Sequence, residues 1–237
     1  MSKLSPDSIQ QDQMWMQFAL AEAETAIYRT RPNPAVGCVI VKDHQIVGRG
    51  ATAPVGGSHA EVFALKQAGD QAQGATAYVT LEPCAHYGRT PPCANGLVEA
   101  GITRVVIACS DPNPLVAGKG VQILKNAGIE VLQGVCEAQA AAQNRGFLKA
   151  IATGMPYVRL KIASSLDGRT AMASGESKWI TGTEARQDVQ HWRAISGVVI
   201  TGIETVLADD CQLNVRQLDG IADISTIVQP KRLVLDR

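Results

Sequence analysis

Apolar residues recur along the chain with two periods, and the periods divide it into elements. Between Asp12 and Tyr28, the residues Met14, Phe18, Ala21, Thr25 and Tyr28 return at spacings of three and four, the repeat of one helix face. Arg31-Pro32-Asn33-Pro34 then enforces extended backbone, because a residue before proline is kept out of the helical region. Val36 to Val41 is a short apolar run, read as a buried strand, and Asp43-His44 turns it back into Gln45 to Gly48. Thr76 to Leu81 and Arg104 to Cys109 read as two further strands. A helix is expected from the Gly118-Lys119-Gly120 turn through Asn126, stopped by Gly128. A short strand at Ile129 to Leu132 follows, then a helix from Glu137 to Ile151 with Gly146 as its weak point. Strands and helices alternate up to about residue 150, which predicts a three-layer α/β domain.

A boundary is expected at Thr153-Gly154-Met155-Pro156, giving one domain over 1–153 and a second over 154–237. In the second, Tyr157 to Ala163 alternates as a strand does. Thr183 is placed to cap a helix running to Arg193, Gly197 to Thr201 reads as the next strand, and Lys231 to Arg237 as a strand cut short.

Composition narrows the function classes. The 237 residues suit one or two domains. Lys plus Arg and Asp plus Glu number 22 each, so the formal net charge is zero. A phosphate-backbone binder would need a basic excess. Aromatics are only 4%, which argues against base-stacking platforms, and no nucleic-acid partner is expected. Ser2 to Gln13 is polar, with no apolar signal core. No apolar run approaches the roughly 20 residues that span a bilayer. The six cysteines are scattered, which suits a reducing, cytoplasmic setting. Cys38 reads as a core thiol, Trp15 as packing, and His44 as a solvated turn residue.

The chemistry is concentrated in His59-Ala60-Glu61 and, further on, Pro83-Cys84 through Pro92-Cys93. A catalytic zinc takes three protein ligands and leaves one position open. His59, Cys84 and Cys93 can supply the three, leaving Glu61 as a proton carrier. The order His-x-Glu, then Pro-Cys and a second Cys, is the signature of zinc deaminases, with Cys-x8-Cys here in place of the shorter spacing. Positions i and i+2 of a helix point about 200° apart. His59 and Glu61 can therefore share a site only if His59 stands at the very start of a helix, with Ser58 as the capping hydroxyl. Cys93, after Pro91-Pro92, is expected at a helix N-terminus, where a thiol ionises more readily. Two other readings remain: core thiols without metal, and a structural zinc with His86 as fourth ligand. A closed structural site would leave Glu61 without a role.

Asn33-Pro34-Ala35-Val36-Gly37, His59-Ala60-Glu61 and Pro83-Cys84 followed by Gly88-Arg89-Thr90-Pro91-Pro92-Cys93 resemble the bifunctional deaminase/reductase family of bacterial riboflavin biosynthesis. The resemblance runs from about Met14 to the last residue. It implies a cytidine-deaminase-like domain followed by part of a dihydrofolate-reductase-like domain, with Zn2+ and NADPH as cofactors. The implied substrate is a small phosphoribosylaminopyrimidine, deaminated hydrolytically on the ring, and a homo-oligomer is left open. By resemblance, Glu61 is catalytic and Asn33 holds substrate. Ala163, Trp179, Thr205 and Asp209 fall on the family's NADP contacts, and Ser177, Arg193, Leu213 and Arg216 on its substrate contacts. The arginines suit a phosphate, because guanidinium offers a two-pronged donor. Thr52 stands where many members carry a histidine, seven residues before His59. Cys211 replaces a usual proline, and Glu204 a small or neutral residue. Only about half a typical reductase domain follows Pro156, so deamination is expected to be retained and reduction to be weak or absent. Competing readings are another zinc nucleoside or nucleic-acid deaminase with an unrelated extension, and a zinc-stabilised module without catalysis.

Overall fold

The computed structural model describes residues 6–85, 92–113 and 116–236. The chain divides into two compact units, Met1–Tyr157 and Val158–Arg237. Residues 154–157 stay with the first unit because Tyr157 is held there. Arg145 Nη1 donates to its hydroxyl at 3.1 Å, and the Arg145 guanidinium lies 5.5 Å from its ring centre.

The first unit is a five-stranded sheet in the order β2-β1-β3-β4-β5. Its strands are β1 (Gly37–Lys42), β2 (Gln45–Ala51), β3 (Thr76–Leu81), β4 (Arg104–Cys109) and β5 (Glu130–Gln133). β1 runs antiparallel to β2 and β3, while β3, β4 and β5 are parallel. The β1–β2 turn places Asp43 and His44 at φ of 50° and 59°, the twist that two-residue hairpins favour. The helices are α1 (Pro6–Ala26), α2 (Ala60–Ala68), α3 (Cys93–Glu99), α4 (Lys119–Asn126), α5 (Glu137–Gln143) and α6 (Arg145–Thr153).

Close backbone approach assigns α1 and α2 to opposite faces. A Cβ on Gly37 would meet the Ala19 carbonyl of α1, and one on Gly50 the Ala60 carbonyl of α2. Gly50 pairs with Cys38, the neighbour of Gly37, so the two contacts alternate across the sheet. α5 shares the α1 face, where Gln17 Nε2 donates to Gln139 Oε1 at 2.7 Å. α3 packs on α2 and α4 on α3. The result is a three-layer α/β/α unit whose core includes Met16, Ile40, Val79, Leu97, Ile107 and Leu124, all fully buried.

Two expectations are corrected in this unit. The helix after Glu137 breaks at Asn144, not at Gly146. Asn144 is buried, and its side chain is committed to the backbone of Ala35. Its backbone, at φ −110°, ends one helix and starts the next. Ser58 is also not the cap of α2. His59 takes that position, with extended backbone and no side-chain capping bond.

The second unit holds α7 (Thr183–Ala194), β6 (Val198–Gly202), α8 (Ile203–Asp209) and β7 (Lys231–Leu235), with β6 and β7 parallel. Its small buried centre is Ala194, Val215, Leu218 and Ile227. Gln229 fixes Val215 by accepting from its N–H at 2.9 Å and donating to its carbonyl at 3.1 Å. Residues 157–163, expected as a strand, have no regular secondary structure and belong to no ladder among the described residues. Alternation describes a strand's faces, whereas a ladder also needs a neighbouring backbone. Thr183 is the first helical residue of α7, and Gly182 takes the cap position. No helix among the described residues is long and apolar enough to cross a membrane.

Candidate metal centre

The topology brings the two motifs together at one end of the sheet. Cys84 follows β3 by three residues, on the side where the parallel strands end. Cys93 is the first residue of α3, and His59 is the cap of α2. One ligand atom from each of His59, Cys84 and Cys93 lies within 4.8 Å of the others. His59 Nδ1 stands 3.2 Å from Cys93 Sγ and 3.6 Å from Cys84 Sγ. Tetrahedral zinc, with bonds of about 2.3 Å to sulfur and about 2.0–2.1 Å to nitrogen, holds such ligands about 3.6 Å apart. The donor set and its spacing therefore fit zinc.

Electrostatics within the cluster place the thiolate on Cys84. Cys84 Sγ accepts the Cys93 backbone N–H at 3.3 Å. Hydrogen bonding from Cys93, then from His59, pulls the Cys84 thiol down to about 4. The Cys93 thiol, which shares a proton with Cys84 and is buried, is pushed up correspondingly. The hydrogen bond with Cys84 raises the His59 imidazole above its ordinary value, and burial opposes it.

Glu61 lies in the first turn of α2 and is only 3% exposed. Burial raises its carboxyl above the usual range, against its own backbone N–H, the charge of His59 and a hydrogen bond from Cys93. The i, i+2 problem is resolved as the spacing required. His59 has extended backbone, so its ring and the Glu61 carboxyl reach the same side. His86 lies outside the described residues.

The loop bearing Asn33 flanks β1. Asn33 is exposed, and its N–H donates to the Thr30 carbonyl at 2.9 Å. Three consecutive N–H groups after it are each taken by a side chain. Asn144 Oδ1 accepts from Ala35 at 2.8 Å, Thr52 Oγ1 from Val36 at 3.0 Å, and Thr80 Oγ1 from Gly37 at 3.0 Å. Asn144 Nδ2 also donates to the Ala35 carbonyl at 2.8 Å, and the Thr52 hydroxyl to the Val36 carbonyl at 3.3 Å. Thr52, at the position where the family's histidine was expected, is thus a buried clamp on Val36. Sequence reasoning missed Asn144 and Thr80, since neither stands near a motif. It also missed Glu82, a buried carboxylate two residues before Cys84. Lys119 is exposed at the start of α4, and Cys38 is a buried core thiol whose ionisation burial opposes.

In the second unit, part of the expected substrate set converges. Arg193 Nη1 donates to the Asn214 carbonyl at 3.1 Å, between Leu213 and the Arg216 segment, whose N–H donates to Gln190 Oε1 at 3.0 Å. Burial and then the charge of Arg216 make the Arg193 guanidinium easier to deprotonate than usual, so two cationic groups face one region. Leu213 holds φ of 56°, and Ser177 is exposed. Of the expected cofactor set, Thr205 and Asp209 lie one turn apart on α8. Lys178, next to Trp179, reaches Asp209 Oδ1 at 3.5 Å. Trp179 is 72% exposed, with the Arg186 guanidinium 4.5 Å from its ring centre. Ala163 is half-buried in the irregular segment before α7.

Comparison with known proteins agrees with this architecture. The family described as "Cytidine and deoxycytidylate deaminase zinc-binding region" matches residues 9–109, and the RibD C-terminal domain matches residues 156–237. The chain is 56% identical over 232 residues to the riboflavin biosynthesis protein RibD of Haemophilus influenzae, covering 95% of this chain and 62% of that protein. It is 53% identical to the RibD of Escherichia coli, covering 95% of this chain and 63% of that protein. The solved structure of Acinetobacter baumannii RibD superposes with a TM-score of 0.91 at 73% identity, over 97% of this chain and 64% of that one. That of the Thermotoga maritima deaminase/reductase gives 0.88 at 40% identity, with the same coverage. The chain thus spans a little over three fifths of the length of these relatives, and over that span it is similar to RibD proteins, with a match to the deaminase zinc-binding region followed by one to the RibD C-terminal domain.

Proposed function

We propose that this chain catalyses the zinc-dependent hydrolytic deamination of 2,5-diamino-6-(5-phosphoribosylamino)pyrimidin-4(3H)-one in riboflavin biosynthesis. The observation that carries the reading is the His59, Cys84 and Cys93 cluster, with a buried carboxylate beside it that no ligand count requires. Zinc, when bound there, lowers the pKa of a coordinated water from about 15.7 to about 7. His59, Cys84 and Cys93 would hold the ion. Glu61 takes one proton of the attacking water and passes it to a ring nitrogen, then carries the second, from the newly formed hydroxyl, to the departing amine. The oxygen of water ends on the ring carbon, and nitrogen leaves as ammonia. Burial suits Glu61 to this work, because a carboxylate whose pKa is raised takes up a proton more readily than an ordinary one. Asn33, whose amide both donates and accepts, orients the pyrimidine from a loop that Asn144, Thr52 and Thr80 hold rigid.

The second unit is assigned to the family's reductase region. Ala163, Trp179, Thr205 and Asp209 are the residues that would hold NADPH, which supplies hydride to the ribose carbonyl of the deaminated product. Ser177, Arg193, Leu213 and Arg216 would hold that product, the arginine pair facing its phosphate. The deciding experiment measures zinc content and ammonia release from this pyrimidine beside cytidine and deoxycytidylate. Release from the phosphoribosylaminopyrimidine alone is expected, and preference for cytidine would overturn the assignment.

A further inference from the structure

Residues 82–84 are held between the first turns of two helices. The Glu82 side chain is 4% exposed. Its oxygens accept the N–H of Gly118 at 3.2 Å and that of Val121 at 3.4 Å, around the start of α4. Its own N–H donates to the Cys109 carbonyl at 2.9 Å, extending the β3–β4 pairing beyond the strand. On the other side, the Ala94 N–H of α3 donates to the Cys84 carbonyl at 3.2 Å, and the Cys93 N–H to Cys84 Sγ. Between the two lies Pro83. Its carbonyl fills the space of a side chain at position 120, where a Cβ would stand 2.0 Å from the oxygen.

We propose that Glu82 is a positioning residue for the metal ligand Cys84, acting by docking α4 onto Pro83. The first amides of a helix lack partners within it and carry partial positive charge. A carboxylate buried at the end of β3 is stable there only if such donors meet it. The same bonds hold Gly120 against the Pro83 carbonyl, so the path of the chain into Cys84 is set by α4 on one side and α3 on the other. An apolar residue at position 82 would suit the surrounding core but would leave the α4 amides unpaired and the helix free to retreat.

This inference rests on the zinc reading and is tested on the full zinc-loaded chain by the rate of metal transfer to a chromogenic chelator. The variants are Glu82→Gln, which keeps the shape but offers one acceptor and a mismatched donor, and Leu124→Ala, which removes a fully buried α4 side chain. Groups that orient metal ligands typically change metal affinity about 10–100-fold. Glu82→Gln is expected to release zinc at least tenfold faster, while Leu124→Ala, at an equal or larger loss of Tm, stays within about twofold of wild type. Release from Glu82→Gln at the wild-type or Leu124→Ala rate would overturn the inference. If Glu82→Gln is unfolded at the assay temperature, Glu82→Asp, one methylene short of α4, is judged by the same two outcomes. A wild-type chain that holds no zinc would overturn the metal reading itself, which separates the two failures.

Discussion

The backbone of Gly50 lies directly against the carbonyl of Ala60, so a Cβ on Gly50 would stand 2.2 Å from that oxygen and 2.8 Å from the Ala64 nitrogen. Ala60 is the residue between His59 and Glu61. Strand β2 therefore sets the height of the helix end that carries both. Gly50→Ala must push α2 away, at about 1–3 kcal/mol of overpacking. It is expected to lower zinc affinity and ammonia release together, measured by chelator competition and a coupled ammonia assay. Unchanged zinc affinity in a folded variant would show that the helix end tolerates the shift.

Glu61→Gln is expected to keep stoichiometric zinc and lose on the order of 10²–10⁴ in turnover, the usual contribution of a general acid–base. Metal analysis and ammonia release on the same sample check it. Near-normal turnover would remove Glu61 from the mechanism.

Ala at His59, Cys84 or Cys93 is expected to abolish both zinc binding and activity, since two protein ligands hold zinc poorly. His86→Ala is expected to retain zinc. Metal loss in that variant would point instead to a closed four-ligand site, in which water has no place.

Asn144→Ala leaves the Ala35 N–H and carbonyl without their partner in a buried setting, at about 1–3 kcal/mol. The affected loop carries Asn33 and not a metal ligand. KM is therefore expected to rise several-fold while zinc content stays at wild type. A fall in zinc with KM unchanged would contradict the assignment of this loop to substrate.

Asp12→Ala tests stability remote from the chemistry. Asp12 is buried, and its carboxylate meets Arg104 Nη1 and Nη2 at 2.7 and 2.8 Å and the Tyr78 hydroxyl at 2.9 Å. Arg104 starts β4, at the end of the sheet away from Cys84. Removing the carboxylate is expected to cost on the order of 3 kcal/mol, at the low end for a broken buried pair because Glu130 still faces Arg104. Denaturant unfolding should show the loss, with zinc content unaltered.

What was legible in the sequence was whatever depends on near neighbours. β3, β4 and α4 fall on the expected residues because apolar runs bounded by turn formers specify them locally. The metal cluster was legible because ligand types announce themselves. The break at Asn144 was not, since its cause is a backbone 109 residues away, and glycine at position 146 was the stronger local signal. Ser58 and Thr183 are good capping residues by type, yet the chain enters each helix one residue away from them. Glu82 was not legible because its partners are backbone amides 36 and 39 residues away. Only the α4 amides explain why it is inside.

The Ala35–Asn144 clamp has a consequence for the order in which the unit is built. A ribosome releases Asn33 long before Asn144 exists, and contacts this distant in sequence form late because the intervening chain must first be gathered. Until the α5–α6 junction docks, the loop has Thr52 and Thr80 but not its third anchor. Synthesis thus reaches His59, Cys84 and Cys93 first and completes the anchoring of the Asn33 loop afterwards. A half-made chain therefore contains all three metal-ligand residues while the Asn33 loop still lacks an anchor, and the proposed deaminase site is complete only when residue 144 closes the ring.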